Sequence, residues 1–202
     1  RSKLVGEAIR GRRERVFLVS KVYPHNAGKK AAQAACERSL RRLGIECLDL
    51  YLLHWRGSEP FAETIAAFET LKAQGKIRHW GVSNLDTEDL REWVDTPGGA
   101  AVAVDQVLYN LTRRGIEWDL LPWCQKRRIP VMAYSPIEQG RILQDATLND
   151  VAARHGVSPA AAAIAWVLRR DSLCTIPKAS SPQHVRDNAT ALDVQLTRED
   201  LD

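Results

Sequence analysis

Six short runs of apolar residues alternate along the chain with longer stretches in which apolar residues recur every three or four positions. The run Leu48–Trp55 is typical, because it is almost uninterrupted and rich in leucine. Continuous short runs of this kind predict strands that are buried on both faces, as in parallel sheets. The six predicted strands cover residues 16–22, 48–55, 79–84, 101–109, 129–135 and 174–177.

Helical spacing marks the stretches between these strands. Residues 29–43 give the clearest case, with alanines and leucines on one face, arginines on the other and Gly44 as the stop. Ser158-Pro159 and Ser181-Pro182 each combine a capping serine with a proline at the first helical position, which predicts two helix starts. Further helices are predicted over residues 1–11, 61–74 and 116–127, and one more begins at Asp86 or Thr87 and ends by residues 97–99.

Strict alternation of strand and helix, in units of about thirty residues, predicts a parallel α/β sheet. An open doubly wound sheet and a closed barrel both fit this alternation. No Gly-x-Gly-x-x-Gly turn follows a strand, and polar side chains stand near the exits of all the strands, so the barrel is favoured. Six units do not close an eight-stranded barrel. We therefore expect strands 3 to 8 here, in one domain over residues 1–202, with the first two strands absent ahead of residue 1.

Composition narrows the class of protein. The chain has 202 residues, of which 45% are hydrophobic and 27% charged, with a net charge of +4, which is ordinary for a globular domain. No apolar run approaches the roughly 20 residues of a membrane span. The basic residues are spread along the chain, so we expect solvated helix faces rather than a nucleic-acid surface. The four cysteines lack metal-ligand spacing, which predicts buried, reduced thiols in a cytoplasmic protein and no metal site.

His54 ends its predicted strand on the same side as Leu50 and Leu52, because side chains alternate along a strand. At a strand exit a histidine is partly shielded from water but still reachable from the loops. The alternative is a core histidine bonded to a backbone carbonyl. The recurrence of polar residues at the other strand exits favours a functional role.

Several segments together resemble the signature segments of the aldo-keto reductase family, in the family's order and at about its spacing. They are Ser20-Lys21-Val22, Asp49-Leu50-Tyr51-Leu52-Leu53-His54, Gly81-Val82-Ser83-Asn84, Gln106, Ala133-Tyr134-Ser135-Pro136 and Ile176-Pro177-Lys178-Ala179-Ser180-Ser181. Each motif is weak alone, whereas six in order are specific. The resemblance implies a (β/α)8 TIM barrel, an oxidoreductase that reduces aldehydes or ketones with NADPH or NADH. It also implies a small carbonyl substrate and a cytoplasmic monomer, with neither nucleic acid nor membrane as partner.

The resemblance assigns roles to the residues at the strand exits. Lys21 matches the lysine that favours phenolate at the catalytic tyrosine, and His54 matches the histidine that orients the carbonyl. Ser83, Asn84 and Gln106 match the residues that hold the nicotinamide carboxamide. Tyr134 matches the aromatic residue that stacks on the nicotinamide ring, and Ser135 is expected to contact the phosphates. Tyr23 and Trp55 stand where relatives line the substrate pocket, with plain packing as the alternative.

The segment from Lys178 to Asn188 resembles the part of the family that binds the adenosine end of the cofactor. Lys178 and Ser180 precede a helix whose free N–H groups suit a phosphate, and Asp187 and Asn188 match adenine contacts. His184 stands where NADPH-preferring relatives usually carry an arginine, so we expect weaker selectivity for NADPH over NADH. Arg186 lies two positions away on the helix and is expected to point elsewhere.

One departure from the family lies at the front of the chain. The family's catalytic tyrosine and aspartate belong to the second strand and the loop after it, and nothing in this chain matches them. We therefore expect the chain to be part of a longer protein, because six-eighths of a barrel would expose two sheet edges.

Two other functions compete with the reductase. A barrel that binds nicotinamide cofactor without turnover, as a redox-sensing or partner-binding subunit, would suit the missing tyrosine but leaves Lys21 and His54 without a role. A Schiff-base enzyme with Lys21 as nucleophile leaves Ser83, Asn84 and Gln106 unexplained.

Overall fold

A computed structural model describes residues 2–201 and divides the chain into two compact units, Arg1–Asp105 and Gln106–Asp202. The strands are β1 Val19–Val22, β2 Leu48–Leu53, β3 Ile77–Ser83, β4 Asp105–Leu108, β5 Val131–Tyr134 and β6 Leu173–Thr175. The helices are α1 Ser2–Ala8, α2 Lys29–Leu43, α3 Phe61–Ala73, α4 Thr87–Asp95, α5 Leu120–Arg127, α6 Ala146–Arg154, α7 Pro159–Leu168, α8 Pro182–Ala189 and α9 Arg198–Leu201. Short 3₁₀ turns connect several of them.

The first unit is organised around β2, which pairs in parallel with β1 on one side and β3 on the other. Every residue of β2 is buried, as the uninterrupted apolar run predicted. Lys21 pairs with Leu52, and Leu52 pairs with Gly81, so the ends of the three strands lie in register. A Cβ on Gly81 would lie 2.5 Å from the carbonyl oxygen of Val104, and only glycine lets the chain approach so closely there.

Helices cover β2 and its neighbours in the first unit. The buried face of α2 consists of Ala32, Cys36, Leu40 and Leu43, and Gly44 ends the helix in the left-handed conformation. Aromatic side chains pack in a continuous series under α3 and α4, with ring centroids 4.9 to 6.0 Å apart. They are Tyr51, Phe61, Phe68, Trp80 and Trp93.

The second unit contains β5 paired in parallel with β6, with β4 as the other neighbour of β5. Its most buried helix is α7, where all residues from Ala161 to Val167 are shielded from solvent. Trp166 packs against Tyr109 and Ala133 in one core cluster. Ser158 and Ser181 cap α7 and α8, because their hydroxyl oxygens accept from the N–H groups of Ala161 and His184.

The structure differs from the sequence prediction in a few elements. Helix α6 was not predicted, although Asp145 caps it and Leu148, Val151 and Ala152 give it a buried face. The first strand is shorter than predicted because a 3₁₀ turn at Arg13–Arg15 precedes it. Helix α1 ends at Ala8, and its predicted apolar stripe is largely exposed, with Leu4 70% accessible.

The prediction of four buried thiols is wrong for two of them. All four cysteines are free, and Cys36 and Cys124 are buried, but Cys47 is half-buried and Cys174 is exposed. Within residues 2–201 no single helix is long and apolar enough to cross a membrane, and α6 with α7 reach that length only as a pair bent by 87°.

Candidate active site

Lys21 lies at the end of β1, where its ammonium faces the end of β3. The Nζ atom donates to Ser83 Oγ at 3.4 Å, and Ser83 is fully buried. Burial lowers the pKa of Lys21, because the charged form is less well solvated there than in water. The parallel register explains this meeting, since Lys21 and Gly81 both pair with Leu52 and Ser83 follows two residues later.

Asn84 joins the ends of β2 and β3. Its backbone is left-handed, with φ of 56°, a conformation that asparagine tolerates better than most residues. Its Nδ2 atom donates to the carbonyl oxygen of His54 at 3.0 Å and to Ser83 Oγ at 3.2 Å. Lys21, His54, Ser83 and Asn84, which lie on three different strands or their ends, are therefore brought together in the first unit.

His54 follows β2 and is half-buried. Its backbone N–H donates to the carbonyl oxygen of Val22 at 2.9 Å. Burial, and then the charge of Lys21, lower the pKa of the imidazole below its ordinary value. The ring is therefore neutral at pH 7 and offers one donor and one acceptor.

An aromatic cluster surrounds His54, consisting of Tyr23, His25, His54 and Trp55. The Tyr23 ring stacks on His54 at 5.2 Å and on His25 at 5.6 Å, and the Trp55 ring lies 4.5 Å from His54. Tyr23 is 50% exposed and Trp55 is 42% exposed. Both predicted pocket residues therefore border His54 and keep a face open to solvent.

The two loops that carry this aromatic cluster are tightly fixed. A Cβ on Gly57 would lie 2.4 Å from Cβ of Pro24, so the loop after β2 packs directly on the loop after β1. Arg56 donates to Asp89 at 2.5 Å and to Glu92 at 2.7 Å, both on α4, and lies over the Phe61 ring. The sequence alone did not indicate His25 and Arg56. Their roles, stacking on Tyr23 and fixing the loop after β2, depend on contacts between segments that are distant in the sequence.

The second unit contains a cavity of about 750 Å³. All predicted cofactor residues from Tyr134 onward lie on its lining, which also includes the start of α7. These residues are Tyr134, Ser135, Lys178, Ser180, His184, Asp187 and Asn188. Another cavity of about 720 Å³ in the same unit, next to Trp166, contains none of the predicted site residues.

The loop after β5 shapes one wall of the 750 Å³ cavity. Ser135 has φ of 52°, and Asn110 holds it by donating from Nδ2 to the Ser135 carbonyl oxygen at 2.9 Å. Asn110 also donates to Glu138 at 2.7 Å, and Arg113 pairs with the same carboxylate at 3.1 Å. Burial raises the pKa of Tyr134, so its phenol is neutral at pH 7 and the ring presents an uncharged face.

Helix α8 forms the wall on the other side of that cavity. His184 is exposed in its first turn and carries a backbone N–H that donates to Ser181 Oγ at 3.2 Å. Gln183 donates to Asp187 at 2.7 Å, and Arg186 donates to Gln183 at 3.0 Å. Arg186 is not on the lining, in agreement with the prediction that it points elsewhere.

Gln106 does not lie on the cavity lining in the second unit. It is buried, and its Nε2 atom lies 2.8 Å from Met132 Sδ. The structure thus gives Gln106 a partner within the core, and its predicted contact with the carboxamide stays a prediction.

Comparison with known proteins places the chain in a family. Residues 2–202 match the Aldo/keto reductase family, and the chain belongs to it. It is 55% identical over 204 residues to methylglyoxal reductase YeaE of Escherichia coli (strain K12), covering 98% of this chain and 72% of that protein. It is 35% identical over 192 residues to glyoxal reductase of Bacillus subtilis (strain 168), covering 94% and 67%.

Solved structures agree with the sequence relatives. The chain is similar to an aldo/keto reductase from Klebsiella pneumoniae solved with NADP and acetate, with a TM-score of 0.97 and 53% identity, covering 99% of this chain and 72% of that one. The predicted family and α/β class are confirmed. The prediction that two strands of the barrel are missing is not borne out by these findings.

Proposed function

We propose that this protein reduces aldehydes and ketones to alcohols with hydride from NADPH, and that small 2-oxoaldehydes are its substrate class. The observation that carries the proposal is the group at the strand ends of the first unit, where Lys21 Nζ lies 3.4 Å from Ser83 Oγ beside the neutral His54. Hydride addition to a carbonyl leaves negative charge on oxygen, and these groups can stabilise that charge.

The residues present in each unit fit a part of a nicotinamide dinucleotide. In the first unit, Ser83 and Asn84 offer the donors and acceptors that a carboxamide needs. In the second unit, Tyr134 offers a flat uncharged ring, while Ser135, Lys178 and Ser180 offer donors for phosphates and Asp187 and Asn188 offer polar groups for adenine. A volume of about 750 Å³ is within the range of ordinary ligand pockets. The cofactor, when bound, supplies the hydride.

The residues of this chain contribute to the reaction in two ways, by stabilising negative charge and by orienting the carbonyl group. The Lys21 ammonium favours negative charge on an oxygen beside it, which lowers the pKa of a neighbouring phenol. His54 is neutral at pH 7 and can donate one N–H to a carbonyl oxygen, which fixes the direction of the carbonyl. The aromatic cluster shields one side of His54 from water, and shielding strengthens both interactions.

The substrate class rests on relatives and on the shape of the aromatic cluster. Relatives named methylglyoxal reductase and glyoxal reductase are 55% and 35% identical to this chain. Tyr23 and Trp55 lie close to His54, at 5.2 and 4.5 Å, and are held by the packed loops of Pro24 and Gly57. We infer that this crowding favours small carbonyl compounds over bulky ones.

The competing functions have less support. Two relatives, 55% and 35% identical to the chain, are named reductases, which favours turnover over a silent cofactor-binding subunit. The contact of Lys21 with Ser83, next to a carboxamide-type site, is unnecessary for a Schiff-base enzyme. We also propose that the protein works as a cytoplasmic monomer on small molecules, without a nucleic-acid or membrane partner.

The test is the consumption of NADPH with methylglyoxal and with a bulky aromatic ketone, measured by absorbance in the natural full-length protein. We expect turnover of methylglyoxal with hydroxyacetone or lactaldehyde as product, and a much lower kcat/KM for the ketone. Trp55→Ala should reduce the difference in kcat/KM between methylglyoxal and the ketone. Binding of NADPH without turnover of any aldehyde would favour the silent subunit instead.

A further inference from the structure

Asp105 is an anomaly in the core of the first unit. It is the first residue of β4 and is 0% exposed, which is rare for an aspartate without a paired charge. Among the residues that the structure describes, none meets the distance and angle of a hydrogen bond to either of its carboxyl oxygens. A buried polar group in this state needs an explanation, because its desolvation is uncompensated.

The surroundings of Asp105 favour its neutral form. Burial raises the pKa of the carboxyl well above its ordinary value, and the nearby charges of Asp86 and Asp89 raise it further. These two residues are the cap and the first turn of α4, and Asp89 is partly neutralised by Arg56. The backbone N–H of Leu85 acts in the opposite direction but does not offset the burial.

Leu85 is the residue that links Asp105 to the proposed cofactor site. It directly follows Asn84, whose left-handed backbone turns the chain at the end of β3, and it is itself buried. The N–H of Val82 donates to the carbonyl oxygen of Val104 at 3.0 Å, so Asp105 begins β4 beside the end of β3, where Ser83 and Asn84 lie. The two hydrogen bonds of Asn84 to His54 and Ser83 depend on where this turn is held.

We propose that Asp105 is a positioning residue for cofactor binding, and that its neutral carboxyl supports the turn that presents Ser83 and Asn84. The inference rests on the proposed function. A neutral carboxyl has a carbonyl oxygen that accepts and a hydroxyl that donates, as a carboxamide does. An ionised carboxylate only accepts, and in this apolar position it must draw in water or move the turn.

The experiment measures the Kd of NADP⁺ by calorimetry from pH 5 to pH 9 in the full-length protein. Asp105→Asn keeps one donor and one acceptor and does not titrate, so it should bind as the wild type does at pH 5. The ratio of wild-type to Asp105→Asn Kd should then stay near one wherever the wild-type carboxyl is neutral, and rise only at a pH where it ionises. Taking this ratio cancels the titration of the cofactor's phosphate.

Asp105→Leu removes both hydrogen-bonding groups. At every pH it should bind NADP⁺ on the order of ten-fold more weakly than Asp105→Asn does. Thr64→Val is the matched control, since Thr64 is also fully buried in the first unit and donates to Ala27 instead. It should lower the melting temperature without changing the Kd.

The outcomes separate the two proposals. Weaker NADP⁺ binding by Asp105→Asn than by the wild type at pH 5, or wild-type affinity in a folded Asp105→Leu variant, would overturn the role of Asp105 while leaving the proposed function intact. Failure of the wild type to bind NADP⁺ at any pH would overturn the proposed function and this role with it.

Discussion

At the scale of single residues, the environment of Lys21 differs from that of an ordinary surface lysine. Lys21 is half-buried, its pKa is lowered by burial, and its Nζ atom donates to Ser83 Oγ at 3.4 Å. An ammonium in a half-buried position acts more strongly on a nearby oxygen than one in bulk water does. This arrangement suits a charge that acts on a phenol or on a carbonyl oxygen.

Lys21→Met tests that role, because methionine keeps the length of the side chain and removes the charge. Reduction should fall by at least about 100-fold, the typical effect of lost general-acid assistance, while NADPH still binds. The measurement is single-turnover oxidation of bound NADPH by an aldehyde in the full-length protein. Lys72→Met, an identical change on the exposed side of α3, should react at the wild-type rate. Equal rates for both variants would show that Lys21 is an ordinary strand-end lysine.

The second prediction at the scale of single residues concerns His184. It lies on the lining of the 750 Å³ cavity without a guanidinium group, and Arg186 is engaged with Gln183. His184→Arg should tighten NADPH binding by about ten-fold, the size of one charge-assisted hydrogen bond, and leave NADH affinity nearly unchanged. Both dissociation constants are measured by fluorescence titration.

Val185→Arg is the control for this change, since it adds the same charge one position along α8. Val185 is 58% exposed and is not on the lining of that cavity. The Val185→Arg variant should bind NADPH only slightly more tightly than the wild type, and this difference should shrink at higher salt concentration. Equal gains for NADPH and NADH in His184→Arg would mean that this position does not sense the 2′-phosphate.

The sequence predicts the residues of the site where chemistry and strand position coincide. Lys21, His54, Ser83 and Asn84 lie near the ends of predicted strands, and parallel strands end at one edge, so their meeting follows from the pattern alone. Asp105 is different. A charged residue inside the apolar run 101–109 is a visible signal, but its state depends on Leu85 and Asp89, which only the fold brings near.

At the scale of elements, capping residues and apolar spacing both predict where helices begin. Helices α2, α3, α4, α7 and α8 begin within a residue of the predicted starts, and three of these five have a side-chain cap. Helix α6 was missed although Asp145 caps it, because its apolar residues are few and follow a long irregular loop. The exposed stripe of α1 shows that spacing alone does not decide which face is covered.

Ser158→Ala should destabilise the second unit through α7. Its hydroxyl oxygen accepts from the Ala161 N–H at 3.1 Å, and the helix behind it is the most buried in the unit. Loss of a serine cap costs about 1 kcal/mol, which corresponds to a fall in melting temperature of roughly 2–4 °C for a chain of this size. Thermal unfolding followed by circular dichroism measures it.

Ser181→Ala removes the same type of cap from α8, a helix with no buried residues. Because α8 can fray without opening the core, this variant should change the melting temperature less than Ser158→Ala does. The reverse order would show that α8 contributes more to global stability than its burial indicates.

At the scale of the whole molecule, two buried carboxyl groups of the first unit titrate in opposite directions. Burial alone would raise the pKa of Asp49, but the N–H of Leu18 at 2.7 Å and the guanidinium of Arg13 at 2.8 Å more than offset it, with Arg78 adding to them, so its pKa is lowered. Asp105 has no such partners and its pKa is raised. Stability should therefore depend on pH at both ends of the accessible range.

The signs follow from linkage. The stability due to Asp49 is fully present above its unfolded-state pKa of about 4 and is lost as pH falls through the lower pKa of the folded state. The stability due to neutral Asp105 is present below about pH 4 and is lost as pH rises toward its folded-state pKa. The free energy of unfolding should thus rise from acid pH to a maximum and then decline.

Two isosteric variants separate these contributions in urea unfolding followed by tryptophan fluorescence at several pH values. Asp49→Asn should flatten the acid side of the curve and lower stability at pH 7 by about 2 kcal/mol, since Arg13 and Arg78 lose their partner but remain partly solvated. Asp105→Asn should leave the acid side unchanged, remove the decline above about pH 4 and raise stability at pH 7. A wild-type curve that keeps rising to pH 8, or an Asp105→Asn variant that is less stable than wild type at pH 7, would contradict a neutral Asp105. Because both residues belong to the first unit, the comparison holds even if the two units unfold separately.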